Sequence, residues 1–132
     1  MKKYGILNAE LARTVAAMGH RDLLVIGDAG LPAPRGVSVI DLALREGVPG
    51  FLETLATVLE ELQVEEGVIA EEMAGVSPAL HAAFSGAWPQ GAALRQVSHE
   101  ELKRLTGEAK ALVRTGEFTP YANVVLVAGV VF

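Results

Sequence analysis

Apolar positions fall along this chain in short runs separated by amphipathic stretches. Leu11, Val15 and Met18 recur at helical spacing behind Asn8, whose side chain suits a helix cap, and Gly19 offers a stop. Residues 23–27 are an apolar run of buried-strand length. Residues 28–34 carry Gly30, Pro32 and Pro34 and read as a loop. Residues 37–40 form a second strand. Pro49 opens the next helix, and Phe51, Leu52, Leu55, Val58, Leu59 and Leu62 give it a wide apolar stripe. Residues 64–70 form a strand, with Glu71 and Glu72 at its end. Ser77 and Pro78 start a short helix to about Phe84, and residues 94–97 make another strand. Ser98 and Glu101 fit a capping box at the start of a further helix. Residues 111–114 form a strand, residues 115–121 a loop, and residues 123–132 a final strand.

Strands alternating with helices predict one α/β domain over residues 1–132, a three-layer α/β/α arrangement on a mixed, largely parallel sheet. Half of the 132 residues are hydrophobic, and mean hydropathy is positive, so the chain can bury a core. The same excess hints at surface covered by a partner subunit. Net charge is −5, and basic pairs occur only at Lys2-Lys3 and Lys103-Arg104, so a nucleic-acid role has no basic stripe to support it. Cysteine is absent, which excludes disulfides and thiolate metal ligands. The three histidines have no metal-ligand spacing. The start lacks the apolar run of a signal peptide, and the longest apolar run, 124–132, is too short to span a bilayer. A soluble cytoplasmic protein is the expectation.

In open α/β sheets ligands sit outside the carboxyl ends of strands. His20 follows a helix stop and Asp28 a strand stop, and both project into one cleft if that helix and strand pack side by side. Each also has a plainer reading. His20 suits a cap on a helix carboxyl end, and Asp28 suits a turn bonded to its own backbone. Tyr121 and Asn123 offer a phenol and an amide before a buried strand, and these suit sugar hydroxyls. An ordinary loop with a half-buried tyrosine fits the same pattern. His99 opens a helix, where a positive imidazole is disfavoured. His81 has no polar company and reads as surface. Of Glu71 and Glu72, one at most reaches a cleft, since adjacent strand residues face opposite ways. No phosphate loop, nucleophile elbow or zinc-protease motif occurs. What remains is acid–base and hydrogen-bonding chemistry.

These residues, in this order, resemble the D-ribose pyranase family, within the wider group that includes L-fucose mutarotase. The matching stretches include Ile6-Leu7-Asn8, Gly19-His20, Asp28-Ala29-Gly30-Leu31-Pro32, Gly47-Val48-Pro49, Ala70-Glu71-Glu72 and His99-Glu100. They continue through Arg114-Thr115-Gly116-Glu117, Pro120-Tyr121-Ala122-Asn123 and Ala128-Gly129-Val130, so the resemblance spans the chain. Tyr4-Gly5 and the region around Trp88 depart from the pattern. The resemblance implies a proton-donor role for His20. It implies sugar contacts from Asp28, His99, Tyr121, Ala122 and Asn123. It further implies no metal, nucleotide or redox cofactor. It also implies a cytoplasmic ring-shaped homo-oligomer, often a decamer, whose neighbouring subunits complete each site. Gly30 and Ala122 favour D-ribose over L-fucose as the sugar. A mutarotase for fucose or another sugar, a non-catalytic sugar-binding accessory of ribose uptake, and a structural oligomer without ligand are the alternatives.

Overall fold

The computed structural model describes residues 1–132. Six strands form one sheet: β1 (Leu23–Gly27), β2 (Ser38–Asp41), β3 (Val64–Ala70), β4 (Ala93–Val97), β5 (Ala111–Arg114) and β6 (Val124–Ala128). Their order is β2-β5-β1-β6-β3-β4. Five run in one direction, and β6 alone runs against its neighbours β1 and β3. The expected mixed, largely parallel sheet is therefore present, with its one reversed strand at the centre.

Five helices cover the sheet unequally: α1 (Ala9–Ala16), α2 (Phe51–Leu59), α3 (Glu72–Val76), α4 (Pro78–Ala87) and α5 (His99–Thr106). Leu11, Val15, Phe51, Leu55, Met73 and Phe84 pack on one face against Leu24, Ile26, Val124 and Leu126. On the other, Leu102 of α5 joins Leu31 and Ala109 over Val25, Val68, Leu112 and Val125. Every residue of β6 is buried, as are Leu24, Val25 and Ile26 of β1. Each such aliphatic side chain contributes about 1.5–3 kcal/mol when fully buried. Loops attached to the ends of β1 and β6 thus hang from the firmest part of the molecule. No helix is long and apolar enough to cross a membrane.

Local chemistry explains most element boundaries. The Asn8 side chain accepts the Leu11 amide at 2.9 Å and starts α1 as predicted. The helix ends at Ala16, short of Gly19, because the Met18 amide tightens onto Val15. Pro49 lies outside α2: Gly50 is the cap and the helix begins at Phe51. The short α3 has no counterpart in the sequence reading, and α4 runs past Phe84 to Ala87. There Trp88 stacks on Phe84 at 5.4 Å and covers Gly67, where any Cβ would collide with the indole. The final strand stops at Ala128, four residues short of the expected end. It has reached the edge where β1 and β3 begin; the Gly129 amide still finds the Gln63 carbonyl, and no backbone bond follows it. Val131 and Phe132 are left exposed.

The sheet thus has two distinct ends. The carboxyl edge gathers the ends of the five co-directional strands and the start of β6. The amino edge gathers their beginnings and the end of β6.

Candidate active site

Asp28 stands at the carboxyl edge immediately after β1, beside the start of β6. Asn123, fully buried, faces it. The Asn123 side-chain oxygen accepts the Asp28 amide at 2.8 Å, and its NH2 donates to the Asp28 carboxylate at 3.0 Å. The other Asp28 oxygen accepts the Gly30 amide at 2.9 Å, so the predicted turn bond is also made. Each carboxylate oxygen keeps acceptor capacity for a further donor. Gly27 permits this approach: a Cβ there would lie 3.0 Å from the Asn123 oxygen and 2.7 Å from Leu31. Asn123 therefore serves Asp28 with both ends of its amide, a role the sequence reading had not given it.

The adjoining loop is tied down from several sides. Thr115, fully buried, donates its hydroxyl to the Gly27 carbonyl at 2.8 Å. Glu117 accepts the first amide of α2 and the Thr119 hydroxyl. Ser77 donates to the Pro120 carbonyl at 2.8 Å. Arg114 donates to the Ala29 carbonyl and pairs with Asp41. Beside Asp28 lies an open depression of about 380 Å³, lined by Gly30, Arg114, Phe118, Thr119 and Pro120 among others. Asp28, Arg114, Glu117 and Thr119 set polar groups among its apolar surface.

Tyr121 follows in the left-handed region at φ 63°, a conformation that costs a tyrosine of order 1–3 kcal/mol. Its ring meets His99 edge-on at 5.0 Å between centroids. His99 begins α5, where Ser98 accepts the Glu101 amide at 3.2 Å. Only that half of the capping box forms, because the Glu101 carboxylate pairs with Arg104. Glu72 satisfies the next amide instead: both of its oxygens accept the His99 amide, at 3.0 and 3.1 Å. The sequence allowed one of Glu71 and Glu72 to reach a cleft without saying which. His99 Nδ1 is buried without a partner in the chain, an uncommon state for a polar atom. Ala122 is fully buried between Tyr121 and Asn123. The carboxyl edge thus brings together Asp28, His99, Tyr121, Ala122 and Asn123.

His20 is not among them. It precedes β1, whereas Asp28 follows it. At about 3.3 Å per residue, β1 separates the two by of the order of 15 Å. The expectation that both enter one cleft of a single chain is corrected on this point: α1 and β1 are joined by a turn at the amino edge, so helix stop and strand stop face opposite ends. His20 does not cap α1 either. Its Nε2 lies 2.9 Å from Glu65 of β3. Arg21, at φ 70°, holds the other Glu65 oxygen at 2.6 Å. The turn is pinned by the Arg21 amide on the Ala128 carbonyl at 2.8 Å, and by Asp22, which accepts the Gly19 amide and pairs with Lys110. The Lys110 ammonium, with the Gly19 amide, holds the Asp22 carboxyl below the usual range.

Comparison with known proteins places these two edges in context. The D-ribose pyranase of Symbiobacterium thermophilum is 56% identical over 132 residues, all of both chains. The structure of Bacillus subtilis RbsD complexed with D-ribose matches with a TM-score of 0.95 at 48% identity, covering the whole of both chains. A fucose mutarotase from Streptococcus pneumoniae, solved with L-fucose, shares the fold at a TM-score of 0.76 and 21% identity, over 96% of this chain and 95% of that one. With residues 1–131 matched end to end, the chain belongs to the RbsD / FucU transport protein family.

Proposed function

We infer that this chain is an isomerase that interconverts the pyranose and furanose rings of D-ribose by acid–base-assisted opening and closing. Full-length identity of 56% to a D-ribose pyranase is the observation that carries this reading. The carboxyl edge supplies its chemistry. Opening a cyclic hemiacetal needs a proton on the ring oxygen and loss of one from the anomeric hydroxyl. The aldehyde then rotates and closes through another hydroxyl, with no net redox change. One well-placed acid–base group contributes about 10²- to 10⁴-fold, or about 3–5 kcal/mol of barrier.

Asp28 accepts sugar hydroxyls on the lone pairs that Asn123 and Gly30 leave free. Tyr121 and His99 orient the ring, and Ala122 backs the pocket. His20 donates the proton. Because it sits at the opposite edge of its own subunit, it acts in the site of a neighbour, and each copy gives one half-site and receives the other. Such head-to-tail contacts close into a ring, and a cytoplasmic ring-shaped homodecamer is the assembly proposed. Tyr4, Leu44 and Phe118, all largely exposed in the single chain, are apolar surface for subunit contacts.

Magnetisation-transfer NMR on D-ribose tests the reaction: the protein should accelerate pyranose–furanose exchange, and more for ribose than for L-fucose or galactose. Faster exchange of fucose would make it a mutarotase of that sugar. Calorimetric ribose binding without acceleration would make it a binding accessory. Co-assembling inactive His20→Ala and Asp28→Ala subunits tests the shared site. Random mixing around a head-to-tail ring restores about a quarter of the sites. No recovery in mixed rings would place His20 and Asp28 in the same subunit's site.

A further inference from the structure

Glu65 is the residue at which β3 slips register. Val64 pairs with Ala128 and Glu66 with Val127, so one extra residue stands between them. Such a bulge re-aims the inserted side chain. Gly129 lies directly against it: a Cβ there would sit 3.1 Å from Glu65 Cβ and 3.3 Å from its amide nitrogen. The Gly129 amide donates to the Gln63 carbonyl at 2.9 Å, fixing β6 to the bulged segment. Thus re-aimed, Glu65 reaches the turn before β1 and divides its oxygens between His20 Nε2 at 2.9 Å and Arg21 Nη1 at 2.6 Å. Glu66, the next residue, accepts from Arg95 on β4 at 3.0 Å and stands 3.8 Å from Arg21 with its other oxygen. The Arg21 guanidinium, and after it the His20 imidazole, hold the Glu65 carboxyl below the usual carboxylate range.

An ionised carboxylate only accepts hydrogen bonds. A ring nitrogen held against it carries the proton, whether the imidazole is neutral or charged. With Nε2 so committed, Nδ1 is the nitrogen free to exchange a proton. We propose that Glu65 is a positioning residue of the ring-opening reaction: it locks His20 as the Nε2–H tautomer and leaves Nδ1 as the acid that meets the sugar oxygen. The proposal rests on the reading of His20 as proton donor. The competing role is a structural anchor for Arg21 at the turn.

The test measures ribose exchange against ribose concentration, giving kcat and KM, together with the ¹⁵N spectrum of the His20 ring. In the unaltered protein the spectrum should show Nε2–H; a dominant Nδ1–H form overturns the proposal without any variant. Glu65→Gln can donate to or accept from Nε2, so both tautomers become available. Its kcat should fall roughly 10- to 100-fold with KM nearly unchanged, and the Nε2–H signature should be lost. Arg21→Gly relieves the positive φ and removes the ion pair while leaving Glu65 on His20. It should keep kcat within about 5-fold. If both variants lose activity equally while the tautomer stays Nε2–H, Glu65 is only an anchor. If Glu65→Gln is fully active while His20→Ala is inactive, Glu65 has no role. If His20→Ala itself exchanges ribose at the unaltered rate, the proton-donor reading fails instead, independently of Glu65.

Discussion

The carboxyl and amino edges of this sheet are built from different materials. At the carboxyl edge, Asp28 is gripped by Asn123 and Thr115 closes the adjacent loop, both fully buried and both using neutral amides and hydroxyls. At the amino edge, His20, Glu65 and Arg21 are joined through charges on side chains that are 53%, 33% and 61% exposed. Each edge also holds one non-glycine residue in the left-handed region, Tyr121 and Arg21. Buried hydrogen-bond networks are costly to disrupt, because an abandoned donor has no water to turn to. Exposed ion pairs are screened and contribute about 0–1 kcal/mol. The proposed binding half is therefore preformed in the lone subunit, and the proposed proton donor is presented on a lightly held turn.

Four perturbations probe that contrast. The largest effect is expected from His20→Ala: ribose exchange falls about 10²- to 10⁴-fold, while denaturant unfolding changes by less than about 1 kcal/mol. Stability lost in proportion to activity would erase the distinction between the edges. Asn123→Ala should do both kinds of damage, removing exchange and costing about 2–3 kcal/mol through the unsatisfied Asp28 amide, read by urea unfolding. Gly27→Ala presses a methyl on Asn123 and Leu31 and should cost about 1–3 kcal/mol, with ribose KM raised more than kcat is lowered. An unchanged KM would mean that the Asn123–Asp28 contact does not set binding.

The smallest effect concerns pH. Glu65 and Asp22 are both held below the usual carboxylate range. Folded, they bind fewer protons than unfolded, so their stabilisation is present above the ordinary carboxylate range and is lost as pH falls through the lowered folded values. Amide hydrogen exchange, corrected for intrinsic rates, should therefore show the Gly19 and Arg21 amides opening first between about pH 7 and pH 3. The Asp28 and Thr115 amides should keep their protection. Equal opening at both edges would remove the contrast.

The sequence exposed whatever depends on neighbours along the chain. Apolar runs located the strands, Asn8 and Ser98 marked two helix starts, and the ordered motifs pointed to the family. It did not expose what depends on partners far away. Asp28 and Asn123 meet across 95 positions. Nothing local announces that β6 lies between β1 and β3 or that it reverses direction. The apolar run 124–132 looks uniform, yet its last four residues lack paired strands. His20 and Asp28 flank one strand, and that proximity in sequence suggested proximity in space. Strand geometry dictates the opposite. Glu65 reads as an unremarkable strand acid, since a bulge leaves no mark in composition.

The length of β6 bears on how the proposed ring of subunits would hold its dimensions. Asn123 abuts the head of this strand and grips Asp28, and the strand's tail, Ala128, grips the turn that carries His20. The strand is thus a ruler of fixed length between Asp28 and the turn that carries His20. An insertion of two residues would keep every side chain on its proper face and still lengthen the ruler by about 6.6 Å. In the proposed ring, His20 and the neighbour's sugar would then miss each other at every junction, and five apolar residues would set its metre.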